Sequence, residues 1–131
     1  MSGSAPTASS TDRRRRIGAL GEQHARHHLQ RRGYRLVAAQ ARTRHGEIDL
    51  IAVDGPTLVF CEVKTRVARN GTTPWTSLHA RKRAQVRRLA VAWLSEHEDR
   101  PRTSELRFDA ILVTVDREGG LRSLEQIEGA F

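Results

Sequence analysis

Two short apolar segments on either side of a four-residue turn constrain the fold of this chain most strongly. Residues 47–53 and 58–64 flank Asp54-Gly55-Pro56-Thr57, a run of turn-forming residues, and together they predict a β-hairpin. Near the turn both faces of the hairpin are apolar, and the face that includes Ile48 and Leu50 is apolar along its whole length. A strand pair with two apolar faces is typical of the centre of a sheet covered by helices.

Charged residues lie at the open end of the hairpin. For a turn with an even number of residues, the register places these residues opposite each other: Val53 and Leu58, Ile51 and Phe60, Asp49 and Glu62, and Glu47 and Lys64. Two opposed carboxylates repel each other, and in a partly buried setting one would take up a proton unless a cation lies between them. Mg²⁺, or Mn²⁺ in its place, suits a site with few carboxylates that is completed by water and phosphate oxygens. The alternative is a compensated ion network that holds the strand register.

The rest of the chain alternates between helical and strand patterns. A helix predicted at 17–32, ending at Gly33, carries Glu22 on its core-facing side, where a carboxylate needs a partner or a metal. A second helix at 78–98 has Lys82 on its apolar stripe. We expect further strands at 34–39, 106–115 and 121–127, a loop at 68–74, a flexible tail at 1–12 and a single domain at 13–131. The predicted fold class is α/β, with a mixed sheet flanked by helices.

The charge and composition of the chain restrict the classes of partner that it can bind. Only two of the 23 basic residues are lysines, and the net charge of +8 is the electrostatic footprint of a protein that binds a polyanion. A chain that otherwise uses arginine keeps lysine where a compact ammonium is needed, which draws attention to Lys64. We expect no membrane span and a cytoplasmic location, because the chain has neither a long apolar run nor a signal-peptide centre. The single cysteine, Cys61, excludes an internal disulfide and is expected to be a packed core residue.

The chain resembles the YraN family of small bacterial proteins, which is similar in turn to the Holliday-junction-resolvase branch of the PD-(D/E)XK, restriction-endonuclease-like nucleases. The residues that carry this resemblance are Gly21-Glu22, Gly46-Glu47-Ile48-Asp49-Leu50-Ile51-Ala52, Phe60-Cys61-Glu62-Val63-Lys64-Thr65-Arg66, Lys82, Arg107-Phe108-Asp109 and Ala130-Phe131. The resemblance implies a restriction-endonuclease-like fold. In three places this chain departs from the pattern that the resemblance leads us to expect: Cys61 replaces valine, Gln40 replaces asparagine and Gln126 replaces histidine.

The resemblance also implies roles. Asp49 and Glu62 become the acidic residues that hold Mg²⁺, Lys64 the lysine that orients the attacking water or stabilises negative charge, and Glu22 a further acidic residue of the site. Glu22 could instead be the buried partner of an arginine, and for Asp109 we favour a structural role. We expect four basic residues to contact the nucleic acid: Lys82, Arg42, Arg44 and Arg66. Lys82 could instead be a surface lysine whose stem packs on the apolar stripe.

Three functions fit these residues. The first is metal-dependent endonuclease cleavage of nucleic acid, with structured or branched DNA as the expected substrate, and cutting two strands as a resolvase does would require a homodimer. The second is a non-catalytic nucleic-acid-binding module that keeps the nuclease fold. The third is an interaction protein with an acidic partner. Histidines His24, His27 and His28 are closely spaced, but without acidic or cysteine partners they favour surface or phosphate-facing roles over zinc.

Overall fold

The computed structural model describes residues 9–69 and 80–131, with the backbone alone for residues 80–83. These residues form a five-stranded sheet and two helices. In chain order the elements are α1 (Ser10–Arg31), β1 (Arg35–Thr43), β2 (Gly46–Asp54), β3 (Thr57–Val67), α2 (Ala80–Glu96), β4 (Glu105–Val115) and β5 (Leu121–Ile127). This confirms the predicted α/β class with a mixed sheet.

The strand β3 lies at the centre of the sheet. The strand order is β1-β2-β3-β4-β5, and every neighbouring pair is antiparallel except β3 and β4, which are parallel. The β2–β3 hairpin has the predicted register from Asp54↔Thr57 to Leu50↔Cys61. Because β3 pairs with β4 along its whole length, residues at its carboxyl end are held by the sheet even beyond the last pair with β2.

One helix covers each face of the sheet, so the protein has two apolar cores. On the α2 face, Phe60 packs edge-on against Trp93 at a centroid distance of 6.0 Å and stacks on Phe108 at 5.5 Å. On the α1 face, a second cluster includes Leu29 and Leu50. Ile48 belongs to the α2 cluster, so the expectation that it shares a face with Leu50 is wrong.

Several boundaries differ from the predicted ones. Helix α1 begins at Ser10, well before the predicted start, because the Ser9 side chain accepts a hydrogen bond from the backbone N–H of Asp12 and so caps the first turn. The helix therefore includes residues 10–12 of the predicted tail, whose first eight residues lie outside the described range. Most of the predicted loop at 68–74 also lies outside it. Strand β1 extends to Thr43, because its second half pairs with β2.

A buried ion pair fastens β4 to its surroundings. The fully buried carboxylate of Asp109 accepts hydrogen bonds from Arg107 Nε at 2.9 Å and Nη2 at 3.0 Å, from Gln126 Nε2 at 3.0 Å and from the Gly129 N–H at 3.0 Å. The Asp109 hydrogen bond raises the pKa of Arg107 above its already high value. Arg107 Nη2 also donates to the Tyr34 hydroxyl at 2.7 Å. This network supports the structural role favoured for Asp109 and gives Gln126 a polar role of its own.

Within the described parts of the chain, neither helix has the length and apolarity needed to cross a lipid bilayer.

Candidate functional site

The candidate site begins where β2 and β3 part. Their register ends at Leu50↔Cys61, and Asp49 is the next residue of β2. Asp49 Oδ2 accepts a hydrogen bond of 2.7 Å from the backbone N–H of Val63. The predicted direct pairing of Asp49 with Glu62 is therefore absent from the described register: accepting from a backbone N–H stabilises the carboxylate, whereas facing a second carboxylate would destabilise it.

Glu47 also departs from its predicted position. It does not pair with Lys64 but opposes Arg42 of β1, and it is exposed. The four-charge cluster expected at the open end of the hairpin is thus reduced to Asp49, Glu62 and Lys64. Glu47 becomes a carboxylate on the same hairpin that lies outside the site.

Glu62 and Lys64 form the second part of the site. Both follow Phe60 by an even number of residues on β3, so they share its face of the sheet, as predicted. Lys64 Nζ lies 3.6 Å from Glu62 Oε1, with 46% of the lysine side chain exposed and 14% of the glutamate side chain. The ammonium is held near the carboxylate and remains accessible to a ligand.

Helix α1 brings Glu22 near the carboxyl end of β3, because its backbone at Gly21 lies very close to the side chain of Thr65. A Cβ added to Gly21 would collide with the side chain of Thr65, so only glycine fits there without movement. Gly21 precedes Glu22 and Thr65 follows Lys64 in the sequence. The contact between helix and strand therefore fixes the position of Glu22 relative to the rest of the site.

Gln40 of β1 is the partner of Glu22. Gln40 Nε2 donates to Glu22 Oε2 at 3.2 Å, and the backbone of Gln40 is left-handed, with φ of 48°. This conformation is uncommon for residues other than glycine, although asparagine tolerates it better than most. Asparagine, the residue that the resemblance leads us to expect here, would therefore adopt this backbone conformation more easily than glutamine does. The described hydrogen bond of the Glu22 carboxylate comes from this amide, not from an arginine.

The donor chemistry fits a two-carboxylate magnesium site. Asp49 and Glu62 could supply oxygen ligands from adjacent strands, and Mg²⁺ is commonly held by one or two carboxylates while water and phosphate oxygens complete its shell. A fuller protein cage is not assembled: among the residues described, no three acidic, histidine or cysteine side chains are grouped so that they could hold one ion. Glu22 as a third ligand remains a prediction.

The four basic residues that we expect to contact nucleic acid differ in their exposure and in their contacts within the protein. Arg42 is exposed. Arg44 is 60% exposed and pairs with Glu96 at 3.7 Å. Arg66 Nε donates to Thr114 Oγ1 at 3.2 Å and is partly buried. Lys82 lies in the first turn of α2, but its side chain falls outside the described atoms.

Sequence reasoning missed an open groove between α1 and β1. It has a volume of about 450 Å³ and is lined by Ala19, Glu22, Gln23, Arg26, His27, Gln30, Ala39 and Gln40. Gln23 and Gln30 are seven residues apart on α1 and so share a helix face, a signal that could have been read from the sequence. The other two α1 histidines have structural roles, because His24 bonds to the Gly119 carbonyl at 3.0 Å and His28 to Gln126 Oε1 at 2.9 Å.

A comparison with known protein families covers the residues of the candidate site. A family model described as uncharacterised protein family UPF0102 matches residues 21–113, a range that includes Glu22, Asp49, Glu62 and Lys64. The chain belongs to the UPF0102 family. This confirms the resemblance to YraN proteins.

Relatives from several bacteria match along nearly their whole length. A UPF0102 protein of Parafrankia sp. (strain EAN1pec) is 44% identical over 116 residues, which cover 88% of this chain and 96% of the relative. One from Acidothermus cellulolyticus is 41% identical over 132 residues, which cover 95% of this chain and 99% of the relative. One from Symbiobacterium thermophilum is 44% identical over 117 residues, which cover 89% of this chain and 97% of the relative. The UPF0102 name describes no activity, so function has to be argued from the site.

Proposed function

We propose that this UPF0102 protein is a metal-dependent endonuclease with a restriction-endonuclease-like fold, which hydrolyses phosphodiester bonds in nucleic acid, with structured or branched DNA as its expected substrate. The observation that carries the proposal is the arrangement at the end of the β2–β3 hairpin. There Asp49 is anchored on the Val63 N–H at 2.7 Å, beside a Glu62–Lys64 pair 3.6 Å apart. Two carboxylates that can hold a metal ion and an accessible ammonium are groups with which a metal-dependent enzyme can hydrolyse a phosphodiester.

Each residue has a distinct task. Asp49 and Glu62 would hold the ion, which when bound lowers the pKa of a water molecule and polarises a phosphate oxygen. Lys64, about half exposed, orients the attacking water or stabilises the negative charge that develops on the phosphate. The hydrogen bond from the Val63 N–H fixes the direction of the Asp49 side chain. Glu22 accepts a hydrogen bond from Gln40, which lies on β1 beside the part of β2 that carries Asp49.

Charge supports a nucleic-acid substrate. The chain has a net charge of +8, and arginines account for most of its basic residues. Arg42 and Arg44 lie near the β1–β2 turn, where an approaching phosphate backbone could meet them. Phosphate contacts of this kind give affinity without sequence preference, and the logarithm of the binding constant falls linearly with the logarithm of the salt concentration. A flat salt response would point to an acidic protein partner instead.

The direct test is cleavage of single-stranded, flapped, four-way and duplex DNA, and of RNA, with Mg²⁺ or Mn²⁺. Asp49→Ala, Glu62→Ala and Lys64→Ala should each lower the rate by about 100-fold or more, because each removes a group that acts on the reacting phosphate. Lys64→Arg should fail as well, since a planar guanidinium does not replace a compact ammonium.

Glu47→Ala is the matched control, because it removes an exposed carboxylate from the same hairpin but outside the site. It should cleave at the wild-type rate. All variants should still bind nucleic acid, since the arginines supply the affinity. Equal rates for the wild type and the three site variants would refute the nuclease assignment.

The alternative is a non-catalytic nucleic-acid-binding module that keeps the nuclease fold and binds through its net positive charge. A wild-type protein that binds each substrate but cleaves none with either ion would establish this alternative.

A further inference from the structure

The groove between α1 and β1 has an unusual concentration of amide side chains. Three of the five glutamines of the chain line it, namely Gln23, Gln30 and Gln40. Each side-chain amide offers two donor hydrogens and an acceptor oxygen, which is the same mixture that the edge of a nucleobase presents. The groove is therefore suited to a ligand with both donors and acceptors.

The geometry places these amides on two walls. Gln23 and Gln30 come from one face of α1, whereas Gln40 comes from β1. The left-handed backbone of Gln40 and its hydrogen bond to Glu22 hold the third amide in place. Backbone strain in a residue other than glycine is often found at binding sites, where it fixes a side chain before the ligand arrives.

The charge of the groove favours a base over a phosphate. Arg26 contributes a positive charge and Glu22 a negative one, and among the residues that the structure describes no second arginine or lysine lines the groove. A phosphate site gathers several cations or backbone N–H groups. Arg26 and His27 instead offer planar groups, of the type on which unstacked bases lie in single-strand complexes.

We propose that this groove binds an unpaired nucleobase of the strand whose backbone passes the Asp49–Glu62–Lys64 site. The inference rests on the proposed function for its substrate class and narrows that class to nucleic acid with an unpaired nucleotide near the cut. A volume of about 450 Å³ admits a small ligand of this size. A fully paired duplex would first have to unpair a base and flip it out of its stack, which weakens its binding.

Binding without divalent metal tests the inference apart from cleavage. Three fluorescein-labelled probes of equal length are titrated by anisotropy: a single strand, its abasic counterpart and the corresponding duplex. The proteins are the wild type, the double variant Gln23→Ala/Gln30→Ala and the control Gln85→Ala, which removes an exposed glutamine of α2 outside the groove. All three substitutions conserve charge, so the general attraction to phosphates is unchanged. Alanine also favours the helix, so folding is preserved.

We expect the wild type to bind the single strand about tenfold more tightly than the abasic strand or the duplex, because amide contacts to a base are worth about 1 to 3 kcal/mol. The double variant should lose that preference, while Gln85→Ala keeps it. Equal affinity of the wild type for the three probes would overturn the inference, as would an unchanged preference in the double variant. A protein that shows the preference but never cleaves would support the groove and refute the proposed nuclease activity.

Discussion

The close approach of α1 to β3 leads to a sharp prediction, since the helix has one glycine at the contact and another away from it. An alanine in place of either glycine should favour the helix by about 1 kcal/mol. At Gly18 an added Cβ would have no atom within 4 Å, so we expect Gly18→Ala to stabilise the protein by about that amount.

At Gly21 the same substitution should have the opposite effect. The new Cβ would collide with the Thr65 hydroxyl and lie 2.6 Å from Thr65 Cγ2 and 2.7 Å from Thr65 Cβ. The last of these atoms is attached to the strand backbone and cannot rotate away, so the helix or the strand has to shift. Overpacking of this kind costs about 1 to 3 kcal/mol, and we expect the upper end of that range. Gly21→Ala should then be less stable than wild type by about 2 kcal/mol after the helix-propensity gain of about 1 kcal/mol.

Urea unfolding of the two variants measures the difference, provided that the slope of free energy against urea concentration is unchanged. Truncation of the obstacle in Gly21→Ala/Thr65→Ala should recover part of the loss, as a favourable coupling energy. Because α1 carries Glu22, cleavage by folded Gly21→Ala should fall while Gly18→Ala keeps the wild-type rate. Equal unfolding midpoints for Gly21→Ala and Gly18→Ala would refute the reasoning.

Three further predictions concern buried or charged groups. Asp109→Ala should destabilise the protein by about 3 to 5 kcal/mol, because it leaves the Arg107 guanidinium without its buried partner, and a loss below about 1 kcal/mol in urea unfolding would contradict this. Burial raises the pKa of the Cys61 thiol, so above about pH 8.5 the unfolded chain releases a proton that the native state keeps. The free energy of unfolding should therefore fall by up to about 1.4 kcal/mol per pH unit relative to Cys61→Val, measured between pH 8 and 10 in the same denaturant series. Asp49→Asn, which can still accept from the Val63 N–H, should melt close to the wild-type temperature without metal but lack the stabilisation that Mg²⁺ gives the wild type, about 2.7 kcal/mol at 100 times the dissociation constant. A large drop with or without metal would mean that Asp49 belongs to a structural ion network.

The central hairpin could be predicted because its signals are local. Alternation along residues 47–53 and 58–64 and the turn between them determine which residues pair, and the register from Val53↔Leu58 to Ile51↔Phe60 is the expected one. The shared face of Glu62 and Lys64 follows from the same alternation. Strand β5 was predicted with its observed bounds, since turn residues delimit it.

The rest depended on tertiary contacts that no local pattern carries. Asp49 turns to a backbone N–H only because β2 and β3 part after Leu50↔Cys61, and strand patterns do not show where pairing stops. The left-handed Gln40 is likewise set by its place between β2 and α1. The early start of α1 did have a local signal, the serine cap before Asp12, but the small polar residues around it resemble a flexible tail.

The parallel pairing of β3 with β4 has a consequence for how the protein reaches its native state. Each residue of β3 lies beside one that is 48 positions later in the chain, whereas the β2–β3 hairpin joins residues no more than 11 positions apart. Closing the longer loop costs about 1 kcal/mol more in chain entropy, before any contact is gained. We therefore expect the hairpin to form early and β4 to dock late, which leaves one edge of the strand bearing Glu62 and Lys64 open for part of folding. Substitutions at the β3–β4 seam should then alter the unfolding rate more than the folding rate, and the exposed edge makes folding intermediates the stage at which this protein is most prone to aggregate.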